Sequence, residues 1–130
     1  MSLFEAIFEK KSNLFTIITL SIIGIISFPI IFPHILHTGH FLHISLHIGE
    51  LIFSVFIGIL SIIAYYRMRT NRLLITMTAF LVFTTVAVVN LIESVWSSYF
   101  YVGDLSLLEI SHILIFGTIG LLAMAAFRND

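Results

Sequence analysis

The sequence predicts an all-α integral membrane protein, a four-helix bundle with a short amphipathic helix at its N-terminus that lies at the membrane interface. Hydrophobic residues make up 59% of the 130 residues and charged residues only 10%, whereas soluble domains have about 45–50% and about 25%. The mean hydropathy is +1.13. Four segments are long and apolar enough to cross a bilayer, which takes about 20 residues each. The whole chain, residues 1–130, is therefore predicted to form a single transmembrane domain.

The first predicted element is the interfacial helix, at about residues 1–11. Its sequence is MSLFEAIFEKK, and the four large apolar residues Leu3, Phe4, Ile7 and Phe8 recur at helical spacing. The charged residues Glu5, Glu9 and Lys10 lie at other positions. This pattern is typical of a helix that lies in the membrane surface with one face in the acyl region.

Four spans follow, at about residues 13–32, 40–66, 73–97 and 105–127. Their apolar runs are continuous and do not alternate with polar residues, which argues against the strands of a β-barrel. Only helices then satisfy the backbone in lipid. The first run is longer than the 7–15 residues of a signal-peptide core, and no A-x-A cleavage site follows it.

The basic residues all fall at one end of the predicted bundle. They precede the first span, fill the connection between the second and third, and follow the fourth: Lys10, Lys11, Arg67, Arg69, Arg72 and Arg128. The two other connections contain no Lys or Arg. Because cytoplasmic loops carry the excess of basic residues, this asymmetry predicts a multi-pass protein with both termini in the cytoplasm.

Composition also excludes several function classes. The formal net charge is −1, which gives no attraction towards nucleic acid. The chain has no cysteine, so a disulfide, a thiolate metal site and a catalytic thiol are impossible. Any metal would have to be held by histidine, carboxylate or backbone oxygen.

A polar seam runs along the second predicted helix. Its upper residues lie within about 80° of one another around the helix axis: His40, His43, His47 and Glu50. The seam continues through small and hydroxyl-bearing residues: Ser54, Gly58, Ser61 and Tyr65. Such a seam is expected to face other helices and to avoid lipid. His34 and His37 rotate away from it and are placed in the preceding loop.

The third and fourth helices carry further ionisable residues at the same predicted height. Glu109 and His112 form an E-x-x-H pair on one face of the fourth helix, and Glu93 follows Asn90 on one face of the third. The rise of a helix predicts a depth of roughly 5–12 Å from the membrane midplane, in the outer half, for five of the ionisable residues: His47, Glu50, Glu93, Glu109 and His112. His40 and His43 are predicted to lie nearer the outer surface. Ionisable residues at this depth are costly and are characteristic of functional sites.

Imidazole and carboxylate groups together predict a transition-metal site, with Zn, Cu, Fe or Mn as the candidate ions. The candidate metal ligands are His40, His43, His47, Glu50, Glu93, Glu109 and His112. Alternatively, His47 and His112 would hold a haem as paired axial ligands. The predicted function is thus metal or haem binding in the outer half of the bilayer, with redox or oxygenase-type chemistry as an extension. The pattern assigns no catalytic residue and leaves open whether the chain is an enzyme.

Two other functions fit the same residues. In one, the His and Glu side chains only form hydrogen bonds between helices, each worth about 0.6 kcal/mol, and the chain is an accessory subunit of a larger membrane complex. In the other, they form a pH- or redox-sensing module with no metal. The expected partners are membrane lipid and either further copies of the chain or a larger membrane complex.

Residues from about 50 to 126 resemble a loose group of small, archaeal-type membrane proteins with four helices and no settled activity. The resemblance lies in the Ala64-Tyr65-Tyr66-Arg67-Met68-Arg69 exit of the second helix, in Arg72-Leu73-Leu74 and Ala79-Phe80 at the start of the third, and in Gly120-Leu121-Leu122 near the end of the fourth. It implies four helices, and it transfers no site residue.

Overall fold

Four helices and one small β-hairpin form the part of the chain that the structure describes. The structure is a computed structural model that describes residues 11–27, 30, 38–96 and 101–128, and of residues 38–41 it describes the backbone alone. In chain order the elements are α1 (Lys11–Ile26), α2 (Thr38–Met68), α3 (Asn71–Trp96), β1 (Tyr101–Val102), β2 (Leu105–Ser106) and α4 (Leu107–Phe127). The predicted interfacial helix lies outside these residues except for Lys11, which begins α1.

Three of the helices, α2, α3 and α4, are long and apolar enough to cross a membrane, judged by length and composition. This confirms the prediction of apolar membrane-type helices for those three segments. The helix α1 is apolar but has 16 residues. The predicted end of the first span falls partly outside the described residues.

Consecutive helices pack side by side, α1 on α2, α2 on α3 and α3 on α4. The apolar core lies among α1, α2 and α3. It includes Ile26 from the end of α1, Ile44, Ile48 and Ile52 from successive turns of α2, and Ala87 and Leu91 from α3. The three isoleucines of α2 lie one helical turn apart and therefore share one face of the helix.

The outer surface of the helices is strongly apolar. Phe116 on α4 is 75% exposed and Ile25 on α1 is also 75% exposed. Only 17% of an apolar 18-residue stretch of α4 is buried within the protein. Water-soluble proteins rarely expose large apolar patches, and these exposed apolar side chains are consistent with a membrane protein.

A two-residue turn sets the register of α2 against α3. Arg69 adopts a positive φ of 47°, and Thr70 caps α3 by accepting a hydrogen bond from the backbone N of Leu73 at 3.2 Å. Because the turn is so short, the helices are antiparallel neighbours. The start of α2 therefore lies level with the end of α3, which carries Asn90 and Glu93.

The hairpin leads directly into α4. Its turn includes Gly103 at a φ of 65°, a left-handed conformation that glycine adopts without a steric penalty. Ser106 then caps α4 in a capping box with Glu109. This cap places the helix start at Leu107, two residues after the predicted start of the fourth span.

Candidate functional site

The candidate site is a cavity of about 500 Å³ among α2, α3 and α4, called the polar cavity below. Its lining includes polar side chains from all three helices: His43, His47, Asn90, Glu93, Ser94, Ser111 and His112. Leu108 and Ile115 form an apolar part of its wall. The structure therefore brings together four of the seven candidate ligands, His43, His47, Glu93 and His112, on one cavity.

Two histidines on successive turns of α2 contact each other through their ring nitrogens. His43 Nε2 and His47 Nε2 are 3.3 Å apart. The two rings are nearly perpendicular, with centroids 4.6 Å apart. His43 is exposed to the cavity, whereas the side chain of His47 is only 21% exposed. The i, i+4 spacing predicted from the sequence thus produces a real pair.

The pair continues into a hydrogen-bonded chain that reaches α3. His47 Nδ1 lies 3.2 Å from Glu50 Oε2, and the amide of Asn90 donates to Glu50 Oε1 at 3.4 Å. Glu50 itself does not line the cavity, and its side chain is 28% exposed. The carboxyl group lies behind His47 and links α2 to α3.

The hydrogen bonds of His47 indicate which ring nitrogens of His43 and His47 carry a proton. A carboxylate only accepts hydrogen bonds, so with Glu50 ionised the proton between them is on His47 Nδ1. In a neutral imidazole the other nitrogen is then an acceptor, and His43 Nε2–H donates to His47 Nε2. The lone pair of His47 Nε2 therefore points towards His43 and away from Glu50.

Two further ionisable side chains line the cavity without a partner. Glu93 lies on α3 and His112 on α4, and neither makes a hydrogen bond or an ion pair with any residue that the structure describes. Both remain available to a molecule or an ion in the cavity.

Glu109 is a candidate metal ligand that lies away from the cavity, at the start of α4. Its Oε2 accepts hydrogen bonds from the backbone N and the hydroxyl of Ser106, at 2.8 and 2.9 Å. The residue is exposed at the start of α4 and does not line the cavity. The S-x-x-E pattern of a capping box was the sequence signal for this role, and the metal-ligand interpretation overlooked it.

The sequence analysis also missed part of the lining. Ser111 is not among the candidate site residues, yet it is buried beside the cavity. Asn90 is not among them either, yet its amide donates a hydrogen bond to Glu50. The spacing of Asn90, Glu93 and Ser94, three and four residues apart on α3, was the available signal. The side chain of His40 and all of His34 and His37 lie outside the described residues.

Below the cavity, the seam of α2 lies against α3 as predicted. Ser54 and Ser61 are buried, and the hydroxyl of Thr84 on α3 donates to the carbonyl oxygen of Ser54 at 3.1 Å. A Cβ on Gly58 would lie 3.3 Å from Thr84 Oγ1. The two helices therefore approach each other closely at this level.

The described residues bring a pair of ligands together, not a complete set. Within residues 11–27, 30, 38–96 and 101–128, no three His, Asp or Glu side chains lie close enough together to hold one ion. Comparisons with protein families, with curated proteins and with solved structures find no match to this chain. The resemblance to small archaeal-type membrane proteins stays a prediction from the sequence.

Proposed function

We propose that this chain is a multi-pass membrane protein that binds a transition-metal ion through His43 and His47 at the mouth of the polar cavity. In this proposal α1 to α4 all span the bilayer, the basic ends of the helices and both termini face the cytoplasm, and the cavity lies in the outer half of the membrane. The asymmetric placement of the basic residues supports the orientation.

The observation that carries the proposal is the spacing of the two imidazole nitrogens. Two nitrogens that each lie 2.0–2.1 Å from one tetrahedral ion are about 3.3–3.4 Å apart. His43 Nε2 and His47 Nε2 are 3.3 Å apart. With His43 in the neutral tautomer that carries its proton on Nδ1, both Nε2 atoms are free to bind, and an ion between them finds two ligands at the separation it requires.

The contact of Glu50 with the other ring nitrogen of His47 also supports a metal site at this pair. A metal-binding histidine usually donates its second ring N–H to a carboxylate, which fixes the ring and raises its basicity. His47 Nδ1 has this partner in Glu50, and Glu50 is fixed in turn by Asn90. We therefore assign Glu50 a positioning role and not a place among the ligands.

The donor set favours an ion over a haem. His47 Nε2 faces His43 on its own helix, so it is not directed towards His112 across the cavity. Imidazole ligands suit Zn, Cu and Fe. Catalytic zinc sites have three protein ligands and one open position, and two protein ligands leave two positions of a tetrahedral ion open to small molecules. Redox or oxygenase-type chemistry would use these positions.

The test is metal binding to tag-free protein in lipid nanodiscs, measured by equilibrium dialysis against Zn²⁺ and Cu²⁺ and by elemental analysis. We expect about one ion per chain, and a loss of affinity of at least about a hundredfold when His43 and His47 are both replaced by Leu, since the second shell alone accounts for about 10–100-fold. Unchanged binding in this double variant contradicts the proposal.

The matched control replaces two other histidines of the same chain. His34→Ala combined with His37→Ala removes two imidazoles that the sequence places in the preceding loop. We expect this variant to keep the affinity of the wild-type protein. If it loses the ion instead, the site is in that loop and not on α2.

One observation favours a second function, a pH-sensing module. The chain from His43 to Asn90 is fully hydrogen-bonded without an ion, and Glu93 and His112 are the other ionisable groups on the cavity it faces. Protonation of the pair would place two charges 3.3 Å apart and separate the rings. A histidine titration seen by NMR in protein that binds no metal would support this function over the first.

A further inference from the structure

A second cavity lies next to the polar cavity, and Ile115 lines both. It has a volume of about 240 Å³, lies between α3 and α4, and is called the apolar cleft here. Its lining has no charged group: Phe80, Phe83, Ile115, Thr118, Ile119 and Leu122. Because they share Ile115, the two cavities are neighbours along the same pair of helices.

Together the cavities have the shape and polarity of an elongated amphiphile. His112 and Leu122 are ten residues apart on α4, which corresponds to about 15 Å along a helix. At one end lie Glu93, Ser94, Ser111 and His112, and at the other end the lining is aromatic and aliphatic. A ligand that fills both has a polar head and one apolar tail.

The polar end is larger than an ion requires. A water molecule occupies about 30 Å³ of liquid, and small-molecule sites have volumes of about 300–1,000 Å³. The polar cavity has about 500 Å³, and Glu93 and His112 have no partner among the described residues. The proposed metal site at His43 and His47 explains neither the volume of the polar cavity nor the presence of Glu93 and His112 in its lining.

We propose that the polar cavity and the apolar cleft together bind a single-tailed lipid amphiphile with an uncharged, hydroxyl-bearing head. The carboxylate of Glu93 and the imidazole of His112 accept hydrogen bonds from the head hydroxyl groups, and the tail lies along Phe80, Phe83 and Leu122. The head then lies beside the proposed ion, but binding needs only residues that the ion does not use. Entry is from the bilayer, between α3 and α4.

The test uses metal-free protein in nanodiscs, so that it does not depend on the proposed metal site. The probe is decylhydroquinone, and its binding is measured in excess of its partition into empty nanodiscs. The comparison compound is its dimethyl ether, which keeps the ring and the tail and lacks both hydroxyl donors. A site built to hydrogen-bond hydroxyl groups rejects the analogue that lacks them. We expect the ether to bind at least about tenfold more weakly.

Variants test the head and the tail separately. We expect Glu93→Leu and His112→Leu each to weaken binding of decylhydroquinone by about tenfold or more. Ile115→Trp, which fills the junction of the cavities, should abolish it. Phe116→Trp is the matched control, because Phe116 is the next residue along and points away at 75% exposure. This control should bind as the wild-type protein does.

Three results would overturn the proposal. Equal binding of the hydroquinone and its ether would show that only bulk partition fills the cleft. Equal binding in the Ile115→Trp and Phe116→Trp variants would show that the cavities do not hold the tail. If Glu93→Leu or His112→Leu removes the metal ion and leaves amphiphile binding unchanged, these residues are metal ligands, and the metal proposal stands without this one.

Discussion

Two stretches of the same seam on α2 behave differently. The upper stretch is His43, His47 and Glu50, and its two histidines line an open cavity. The lower stretch, Ser54, Gly58 and Ser61, is closed against α3. Both stretches are polar and both follow the same helical spacing. The difference lies in the size and the charge of their side chains.

The lower stretch satisfies its polar atoms within the backbone. Ser54 Oγ donates to the carbonyl oxygen of Leu51 at 2.9 Å, and Ser61 Oγ donates to that of Gly58 at 2.7 Å. Short side chains that bond to their own helix leave the surface flat, so α3 approaches closely. Ser54 is fully buried as a result.

The upper stretch cannot close in this way. A carboxylate has no proton to donate to a carbonyl oxygen of its own helix, and the imidazole and carboxylate groups bond instead to one another and to Asn90. Their bulk keeps α2, α3 and α4 apart and leaves the polar cavity. The comparison teaches that one seam packs closely against α3 below and lines a cavity above.

The largest effect on stability is expected from a substitution that fills the space at Gly58, where α2 and α3 approach each other closely. Gly58→Leu forces α2 and α3 apart, because even a Cβ would lie 3.3 Å from Thr84 Oγ1. Overpacking of this kind costs about 1–3 kcal/mol. We expect that loss of stability in SDS-induced unfolding from mixed micelles.

Gly49→Leu is the control for this substitution on the same helix. A Cβ on Gly49 meets nothing within 4 Å. We expect it to be neutral or slightly stabilising, because leucine has the higher helix propensity. Equal losses at Gly49 and Gly58 would mean that close packing is not confined to the lower stretch.

The next effect tests the upper stretch. Glu50→Gln keeps the shape of the side chain but removes the charge that orients His47. We expect the affinity for the ion to fall by about 10–100-fold, with little change in unfolding. Dialysis against Zn²⁺ measures this, and an unchanged affinity would remove Glu50 from the site.

A smaller effect is expected at the cap of α4. Ser106→Ala removes a capping-box hydroxyl, which costs about 0.5–2 kcal/mol of stability. Metal binding should be unaffected, because neither Ser106 nor its capping partner Glu109 lines the polar cavity. A weaker affinity for the ion in Glu109→Ala would return Glu109 to the ligand set.

The smallest effect is expected for Thr84→Val. The hydroxyl of Thr84 donates to the carbonyl oxygens of Ser54 and Phe80. A hydrogen bond between membrane helices is worth about 0.6 kcal/mol. We expect a loss of that size in SDS unfolding and normal metal binding. A loss of metal binding would show that the lower stretch supports the cavity directly.

Much of this arrangement could be predicted from the sequence, because membrane helices follow from apolar length. Helical spacing placed His43, His47 and Glu50 on one face, and the structure joins them by hydrogen bonds. Spacing along one helix does not determine how far apart the facing helices lie. Which residues meet across the cavity therefore needed coordinates.

Glu109 shows why the rest could not be predicted from helical spacing. Its position relative to His112 matched a metal-binding pattern, but the helix begins at Leu107. In the first turn of a helix a carboxylate is drawn to the unpaired backbone N–H groups. A shift of two residues in a helix start thus changes a candidate ligand into a capping residue.

The most direct test of the central claim is X-ray absorption at the zinc edge of protein loaded with one Zn²⁺ per chain in nanodiscs. The prediction is imidazole nitrogen at about 2.0–2.1 Å from the zinc ion. The spectrum of the wild-type protein should fit two histidine ligands, and the spectrum of the His43→Leu variant should fit one. A spectrum that is the same in wild-type protein and in the His43→Leu and His47→Leu variants would contradict a metal site on α2.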